Sequence, residues 1–476
     1  MNAESSRKRK FFTIAETAEL AGTECFPRER GTLPMPRSFK TDSRNVLPGD
    51  AFIAMPGERT DGHLFIADAA ARGASVIILR SDWYEENKAC ADALDAVKIP
   101  VADSEKSVAL LARHWLGAVS PKVVGITGSV GKTTTRELLY RAMRVGISAH
   151  SAIKSYNTLI GCAMTILSMP SGAEVLILEL GANHPGEIGE IVRNFPVTHG
   201  IITDVTEAHL EGLNSIEGVL SAKMEICDSE RLEFLSYNND NDALSAAVKR
   251  AGLPARVIGV GFGDADVSVS DVSQSLGSDG VPHLSLSISS REESIHCEAE
   301  FFGRQHAKNI AFAYSVARDF GVAGEAFAKS VRQARTPRGR GRICGMPGGL
   351  IIDESYNASP SSMSCALENV LEMKLDENLR KIAILGGMRE LGRESGRWHE
   401  VIMSRASLFD EIYLIGSEWD DLETKQSALM GKWKTVDSFI GDFDPKSASK
   451  AVILIKGSRF YGMERLLPIL GAKLCE

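Results

Sequence analysis

The chain has 476 residues, of which 44% are hydrophobic and 24% charged, and its formal net charge is -8. This length predicts roughly three domains with substantial cores, and the acidic balance argues against a general nucleic-acid-binding surface. The eight cysteines are scattered without CxxC spacing. That usage favours a reducing compartment over a disulfide scaffold or a zinc site.

We expect neither a secretory signal peptide at the start of the chain nor a membrane span. Glu16 and Glu19 interrupt the stretch that a signal peptide would need to be apolar. No apolar run reaches the ~18 residues that a membrane span requires. We therefore expect a cytoplasmic protein.

Residues 1–102 are predicted to form a first, small α/β unit. Its predicted elements are a helix at 11–20, a strand at 51–54, a helix at 64–72 and a strand at 75–79. A polar loop before the first strand contains Thr41, Asp42, Ser43 and Arg44. These groups suit a diphosphate or a sugar, but on composition alone a capping turn is the simpler interpretation.

A second unit, residues 103–336, contains a predicted phosphate-binding loop. An apolar strand at 122–127 leads into a glycine loop, and helical periodicity follows from Thr134. Such a loop turns backbone N–H groups toward phosphate oxygens, while Lys132 neutralises phosphoryl charge and the Thr133 hydroxyl suits Mg²⁺. Ile126 stands where the general pattern has glycine, so the match is to the shorter form GxxGKT. The alternative is a glycine turn followed by a chance Gly-Lys-Thr.

Two further strands of this unit, at 174–180 and 200–205, are continuous apolar runs typical of a parallel sheet that is covered on both faces. Ligands bind at the carboxyl ends of such strands, where Glu179 and, just beyond, His209 are found. Because a buried carboxylate without a cation is costly, metal ligation is favoured over a structural hydrogen bond for Glu179. His209 alone would be read as structural. Farther on, strict alternation at 283–289 and 295–302 predicts a half-exposed antiparallel insertion.

Residues 337–476 are predicted to form a third, parallel βαβ domain, introduced by the connector TPRGRGR. Its strands are expected at 350–353, 381–385, 411–415 and 451–455. Polar residues follow the first and last of these. Ser361 or Ser362 is a credible helix cap, and Lys456 with Arg459 form either a turn or a carboxylate-binding pocket.

Taken together, the motifs resemble the Mur ligases, in the order found in that family. They are GITGSVGKTT, ELGANHPGEIGEI, EAHLEGLNSIEGVLSAKMEI, GRQHAKNIAFA, DESYNASPSS and KGSRFYGMERL, preceded by the N-terminal segment TDSRNVLPGDAFIAMPGERTDGH. Within the family, SYNAS-P and KGSR point to the enzymes that add D-alanyl-D-alanine, and the Asp-Asn-Pro-Arg signature of the preceding step is missing. Glu354, Ser359 and Gly387 depart from the usual Asp, Asn and Asp.

The resemblance implies three domains: a UDP-substrate domain, a central P-loop ATPase domain and a Rossmann-like C-terminal domain. It implies ATP and Mg²⁺ as cofactors, and a UDP-N-acetylmuramoyl-tripeptide and D-alanyl-D-alanine as substrates, in a monomer that binds neither nucleic acid nor membrane. The nucleotide would be bound by Gly128, Ser129, Val130, Gly131, Lys132, Thr133, Thr134, Asn309, Arg340, Asp353, Tyr356 and Asn357.

The remaining roles implied by the resemblance concern the metal and the two other substrates. Thr133 would bind one Mg²⁺, and Glu179 and His209 would bind a second. The UDP-sugar substrate would contact Thr41, Ser43, Arg44, Asn157 and Thr158, and the dipeptide Lys456 and Arg459. Lys223 would be a carbamylated catalytic residue together with Lys132, Glu179 and His209, although by spacing alone a helix lysine is ordinarily a solvated surface charge.

Two other functions stay open at this point. A folylpolyglutamate-type ligase shares the central loop but should lack the TDSR and DGH module. A P-loop kinase or NTPase switch would not need a third parallel α/β domain that carries KGSR.

Overall fold

The computed structural model describes residues 12–36, 38–57, 60–152, 155–277, 280–332, 334–373, 379–422 and 426–473. Within these ranges the chain forms three β-sheets, and helices cover them. No helix in these ranges has the length and hydropathy needed to cross a membrane. Three α/β layers, each around its own mostly parallel sheet, confirm the predicted fold class.

The first sheet has four parallel strands in the order β1-β2-β3-β4. The strands are β1 Phe39–Lys40, β2 Ala51–Ile53, β3 Val76–Arg80 and β4 Val97–Val101; the helices are α1 Ile14–Leu20, α2 Ile66–Ala71, α3 Ser81–Glu86 and α4 Lys88–Asp92. Thr13 caps α1 in a capping box with Glu16. The predicted helix start at Phe11 lies outside the described residues, and the predicted helix at 64–72 begins instead as a 3₁₀ turn, Gly62–Phe65.

The central sheet has nine strands in the order β13-β12-β11-β10-β9-β8-β5-β7-β6. Its strands are β5 Lys122–Thr127, β6 Ala149–Ser151, β7 Val175–Glu179, β8 His199–Ile202, β9 Phe234–Asn238, β10 Arg256–Gly261, β11 Val267–Leu276, β12 Pro282–Ser290 and β13 Ser294–Ala299. The helices in this region are α5 Ser104–Val119, α6 Lys132–Met143, α7 Leu159–Leu167, α8 Glu187–Asn194, α9 Leu210–Leu213, α10 Ile216–Met224, α11 Asp242–Ala251, α12 His306–Asp319 and α13 Gly324–Arg332.

The alternating segments are confirmed as antiparallel strands. β12 pairs antiparallel with both β11 and β13. Leu284, Leu286 and Ile288 are fully buried, whereas the residues between them are partly exposed. These strands extend the edge of the central sheet, because β11 pairs in parallel with β10.

The third sheet has six strands in the order β14-β15-β19-β16-β17-β18. The strands are β14 Arg342–Met346, β15 Gly349–Glu354, β16 Arg380–Gly386, β17 Glu411–Ile415, β18 Leu429–Trp433 and β19 Ala451–Lys456; the helices are α14 Pro360–Leu371, α15 Ser395–Ala406, α16 Val436–Asp442 and α17 Leu466–Ile469. The sheet is not wholly parallel as predicted, since β14 forms an antiparallel hairpin with β15. The predicted domain boundaries at 102/103 and 336/337 stay predictions.

The predicted cap of α14 was wrong. Ser359 is the N-cap residue, Pro360 follows it, and Ser362 completes a capping box as the third helical residue. Proline at the first helical position has no N–H that would need a partner there, so the helix starts earlier than a cap at Ser361 or Ser362 would allow.

Candidate active site

A cavity of about 490 Å³ lies where the carboxyl ends of central strands meet the third sheet. The central sheet contributes the loop after β5, the end of β7 and the segment after β8; the third sheet contributes the segments after β15, β16 and β19. Ligand sites of open α/β sheets form at such strand ends. The sequence-predicted residues that line it are Ser129, Val130, Gly131, Lys132, Thr133, Thr134, Asn157, Glu179, His209, Asn309, Arg340, Tyr356, Asn357, Lys456 and Arg459.

The loop after β5 has the backbone that phosphate binding requires. Gly128 and Gly131 have φ angles of 141° and 88°, in the region that glycine alone adopts readily. A Cβ at Gly128 would lie 2.0 Å from Thr203 Oγ1, and one at Gly131 would lie 2.5 Å from Asn309 Oδ1. α6 then begins at Lys132, two residues before the predicted start, so its N-terminal N–H groups face the cavity as an anion site.

Lys132 lies at the start of α6, and its Nζ donates to Gly128 O at 2.5 Å. Burial lowers the pKa of Lys132 to about 8; Arg340 acts in the same direction, and the Glu179 carboxylate opposes them. A bound polyanion would favour the ammonium form. The lysine is therefore placed to exchange its backbone contact for a phosphate oxygen.

Glu179 has a cation that sequence reasoning missed. Arg136 Nε lies 2.9 Å from Glu179 Oε1, and both side chains are only 2% exposed. The other oxygen, Oε2, accepts from Thr133 Oγ1 at 3.1 Å. Arg136 follows Lys132 by four residues, so both side chains lie on one face of α6. This spacing is the sequence signal that could have identified Arg136.

Thr133 and Glu179 offer the hydroxyl and carboxylate oxygens that Mg²⁺ prefers. Among the described residues, no cluster of three His, Cys, Asp or Glu side chains forms a metal cage. A cage is unnecessary, because Mg²⁺ usually takes one or two carboxylates together with substrate phosphates and water. The residues present therefore fit this ion beside a nucleotide.

His209 lines the cavity directly before α9. Its Nδ1 lies 2.5 Å from Oε2 of Glu390, a residue of the third sheet's loop after β16. The structure thus brings His209 and Glu179 to one cavity, although they are thirty residues apart in the chain.

Lys223 is buried, with 1% of its surface exposed, near the end of α10. The expectation from spacing alone, that Lys223 is a solvated surface lysine, was therefore wrong. Burial lowers the pKa of Lys223 to about 7, and the charge of Lys132 lowers it further, against the opposing carboxylates of Glu225 and Glu187.

Four predicted nucleotide ligands, Asn309, Arg340, Tyr356 and Asn357, line the cavity. Arg340 stacks on Tyr356, with the guanidinium carbon 4.0 Å from the ring centroid. Asn309 is buried in the first turn of α12 and contacts His306 Nδ1 at 3.2 Å. Asn357 O and Asn357 Oδ1 accept from Lys456 Nζ at 3.0 Å and Arg459 N at 3.4 Å.

Four other predicted residues serve local structure in this conformation. Asp353 is buried and accepts backbone N–H groups of Gly339 and Ser355 at 3.0 and 3.1 Å, and it is not among the cavity-lining residues. Thr158 caps α7. Gly128 forms the turn below Ser129, and Asn157 O accepts the Gly181 N–H at 2.8 Å.

Lys456 is 3% exposed, and its Nζ donates to Glu354 Oε2 at 3.1 Å. Glu354 is one of the departures from the family pattern, and its carboxylate accepts the hydrogen bond from Lys456. Arg459 is exposed and pairs with Glu464 at 2.8 Å. The pair Lys456 and Arg459 is thus brought to one cavity, but with carboxylates of the chain itself as partners.

The first-sheet loop lies apart from this cavity. Arg44 makes a two-pronged contact with Asp42, Nε to Oδ1 at 2.9 Å and Nη2 to Oδ2 at 2.7 Å. Asp42 also caps the 3₁₀ turn Ser43–Asn45, which is the capping turn that composition suggested. Ser43 is buried and Thr41 exposed.

Three family models match the chain. They are the Mur ligase family catalytic domain at residues 38–116, the Mur ligase middle domain at 126–317 and the Mur ligase glutamate ligase domain at 339–459. The chain is 30% identical over 406 residues to the UDP-N-acetylmuramoyl-tripeptide–D-alanyl-D-alanine ligase of Bacillus subtilis, covering 83% of this chain and 81% of that one. The enzyme of the same name from Rickettsia prowazekii is 29% identical over 438 residues, 90% and 93% of the two chains.

Solved structures agree over the full fold. MurF from Acinetobacter baumannii superimposes with a TM-score of 0.82 at 25% identity, covering 97% of this chain and 99% of that one. The MurF ligase of Thermotoga maritima in complex with ADP gives a TM-score of 0.75 at 27% identity, covering 91% and 97%. The matched sequence, the three-sheet fold and the loop-lined cavity lead to one conclusion: the chain belongs to the Mur ligase family.

Proposed function

We propose that the chain is an ATP-dependent ligase that joins D-alanyl-D-alanine to a UDP-N-acetylmuramoyl-tripeptide in peptidoglycan precursor synthesis. The observation that carries the proposal is the cavity in which a phosphate-binding loop faces cationic groups of the third sheet, Lys456 and Arg459. The similarity to relatives of that name over most of the chain supports it.

The chemistry explains why a phosphate loop and a second substrate site share one cavity. A carboxylate is too poor an electrophile to form an amide directly. One of its oxygens therefore attacks the γ-phosphorus of ATP, which forms an acyl phosphate and releases ADP. The dipeptide amine attacks the carbonyl carbon, the C–O bond to phosphate breaks, and the nitrogen loses its proton.

The chain contributes positioning and charge neutralisation, which are the main demands of phosphoryl transfer. Lys132 and the N-terminus of α6 stabilise negative charge on the β- and γ-phosphates. Arg340 lines the same cavity and is proposed to contact the same phosphates. Asn309, Asp353, Tyr356 and Asn357 are proposed to hold the base and ribose.

Thr133 is proposed to hold one Mg²⁺ beside the phosphates, and Glu179 and His209 a second. When bound, such ions neutralise charge on the phosphate oxygens. Arg136 fixes the direction of the Glu179 carboxylate, since the guanidinium contacts one oxygen and the Thr133 hydroxyl donates to the other.

Lys223 is proposed to react with CO₂. Its lowered pKa leaves much of the amine neutral near pH 7, and a neutral amine forms an N–C bond to CO₂ with loss of one proton. The resulting carbamate is an anion that attracts the ammonium group of Lys132, whereas an ammonium form of Lys223 is repelled by it.

The two other substrates are assigned to the polar groups at the sheet ends. Asn157 and Thr158 are proposed to contact the UDP-linked sugar, and Thr41, Ser43 and Arg44 its uridine diphosphate end. Lys456 and Arg459 are proposed to bind the carboxylate of the dipeptide. For Lys456 this requires that its contact with Glu354 be shared or exchanged.

Phosphate release from ATP tests the proposal when each acceptor is supplied alone and then both together. A D-alanyl-D-alanine ligase requires the UDP-muramoyl tripeptide and the dipeptide at once. Release with one acceptor indicates a kinase, and release with neither indicates an NTPase switch. Running the assay with tripeptides that differ in the third residue identifies the natural substrate.

A cytoplasmic location and a monomeric state belong to the same proposal. The seven cysteines in the described ranges are all free thiols, as expected in a reducing compartment. Size-exclusion chromatography with light scattering measures the state directly.

A further inference from the structure

We propose that Glu390 is a positioning residue that sets the imidazole of His209 from the other side of the cavity. This inference rests on the function proposed above, in which His209 faces Mg²⁺. Glu390 Oε2 lies 2.5 Å from His209 Nδ1. The two residues come from different sheets: His209 precedes α9 in the central region, and Glu390 follows β16 of the third sheet.

A backbone hydrogen bond reinforces this contact. The Glu211 N–H donates to Glu390 O at 3.0 Å. Gly392 packs beside the same segment, since a Cβ at that position would lie 3.6 Å from Glu211 Cα. The segment at His209 and the loop at Glu390 are therefore joined by both main chain and side chains.

Both partners have a backbone conformation that their side chains disfavour. The φ angles are 56° at His209 and 65° at Glu390. Non-glycine residues keep this left-handed conformation when their surroundings impose it, and such positions are concentrated at functional sites. Two of the six non-glycine residues of this kind in the described ranges thus face each other at the cavity.

The loop that carries Glu390 is anchored to the third sheet's own elements. Arg389 Nη1 contacts Glu418 Oε1 at 3.1 Å, and its guanidinium carbon lies 4.5 Å from the centroid of the Phe460 ring. The loop that carries Glu390 is therefore held by side chains of the third sheet as well as by its contacts with the central region.

The contact decides which nitrogen of His209 faces a cation. With Nδ1 beside the carboxylate, Nε2 is the ring nitrogen left for a ligand in the cavity. Metal-binding histidines commonly hold a carboxylate at their second nitrogen, and this partner fixes the ring and raises its basicity. Because Glu390 belongs to the third sheet, His209 is set for the metal only when that sheet is docked against the central one.

If the contact between His209 and Glu390 served only the structure, the expected effect of removing it would be different. The side chains of His209 and Glu390 are 26% and 52% exposed, and exposed pairs contribute little to stability. Removing the Glu390 charge should therefore leave the unfolding temperature nearly unchanged and alter metal binding instead.

The test compares Glu390→Gln with Glu394→Gln. Glu394 is a matched control, since it lies in the same loop and its ion pair within the described residues is the local one with Arg397. Mn²⁺ is titrated into each protein with ADP present, and the free-ion EPR signal gives the affinity. We expect Glu390→Gln to bind Mn²⁺ about 10-fold or more weakly, Glu394→Gln to equal wild type, and Glu390→Asp to recover part of the affinity.

A Glu390→Gln affinity within about twofold of the control overturns the inference, as does a weakened affinity accompanied by an equal loss in Glu390→Asp and a large drop in unfolding temperature. The titration needs no turnover, so it is independent of the ligase assay. Failure of wild type to release phosphate with both acceptors overturns the proposed function, whereas wild-type turnover with unchanged Mn²⁺ affinity in Glu390→Gln overturns this inference alone.

Discussion

The guanidinium of Arg136 lies 2.9 Å from the carboxylate of Glu179, and both side chains are 2% exposed. A buried carboxylate at the end of an apolar strand is costly without a cation, and Arg136 is the cation beside Glu179. The charge of Glu179 is balanced inside the protein, while its second oxygen reaches the Thr133 hydroxyl at the cavity. Glu179 therefore has both a structural partner and an orientation suited to a metal.

Arg136→Met is expected to lower the free energy of unfolding by about 3–5 kcal/mol, because it leaves a buried carboxylate without its cation. Urea denaturation measures this. Arg397→Met removes an exposed arginine from a local pair and should cost under about 1 kcal/mol. The double variant Arg136→Met with Glu179→Leu should regain much of the stability but no activity. Equal losses in the two single variants would contradict the assigned role.

Lys132→Ala is expected to remove nearly all turnover and to leave the fold intact, because the side chain neutralises phosphate charge and does not fill a core. Circular dichroism checks the fold, and phosphate release checks the rate. A variant with more than about a tenth of the wild-type rate would have lost less than ~1.4 kcal/mol of transition-state stabilisation. That result would rule out the proposed role.

Lys223→Ala is expected to be almost inactive, and acetate or formate should restore part of the rate by filling the vacated anion site. Mass spectrometry of the native wild type should detect an added carboxyl group at Lys223. Wild-type activity in the variant would exclude a catalytic role. Loss without rescue and without added mass would exclude the carbamate.

The stability of the unmodified protein should depend on Lys223 above neutral pH. The folded-state pKa of about 7 lies below the value of a free lysine, so between about 7 and about 10.4 the unfolded state binds more protons. The free energy of unfolding therefore rises with pH through that window because of Lys223. Below the window, burial of the protonated amine lowers it. Lys223→Met, measured without CO₂ by urea denaturation from pH 6 to 10, should show a shallower rise than wild type. An unchanged slope would contradict the buried amine.

Arg459→Ala is expected to raise the KM for the dipeptide several-fold and to leave the KM for ATP nearly unchanged, since a guanidinium that binds a carboxylate acts on one substrate. Lys456→Ala should differ, because it also frees the buried Glu354 and should destabilise the fold. Initial rates with each substrate varied in turn separate these effects. Equal weakening of both substrates by Arg459→Ala would point to a closure defect.

Many of the strands could be predicted from the sequence, because they depend on local hydrophobic periodicity. Continuous apolar runs predicted β5 and β17 to the residue and β7 and β19 within one residue of each end. The glycine loop was found because its spacing, strand and helix are contiguous in the chain. Shorter or more polar strands such as β1, β6 and β18 were missed, since their backbone pairing depends on neighbours supplied by distant segments.

What the sequence determined, then, is the apolar strands such as β5, β7, β17 and β19, and the identity of the phosphate loop. Only the tertiary structure decided the electrostatics of the site. Arg136 pairs with Glu179, and Glu354 pairs with Lys456. Glu390 contacts His209, which lies 181 residues earlier in the chain. The burial of Lys223 was equally out of reach, because helical spacing gives a lysine's face but not what packs against it. Charge pairing and desolvation depend on distances in space, and these are set when the sheets dock.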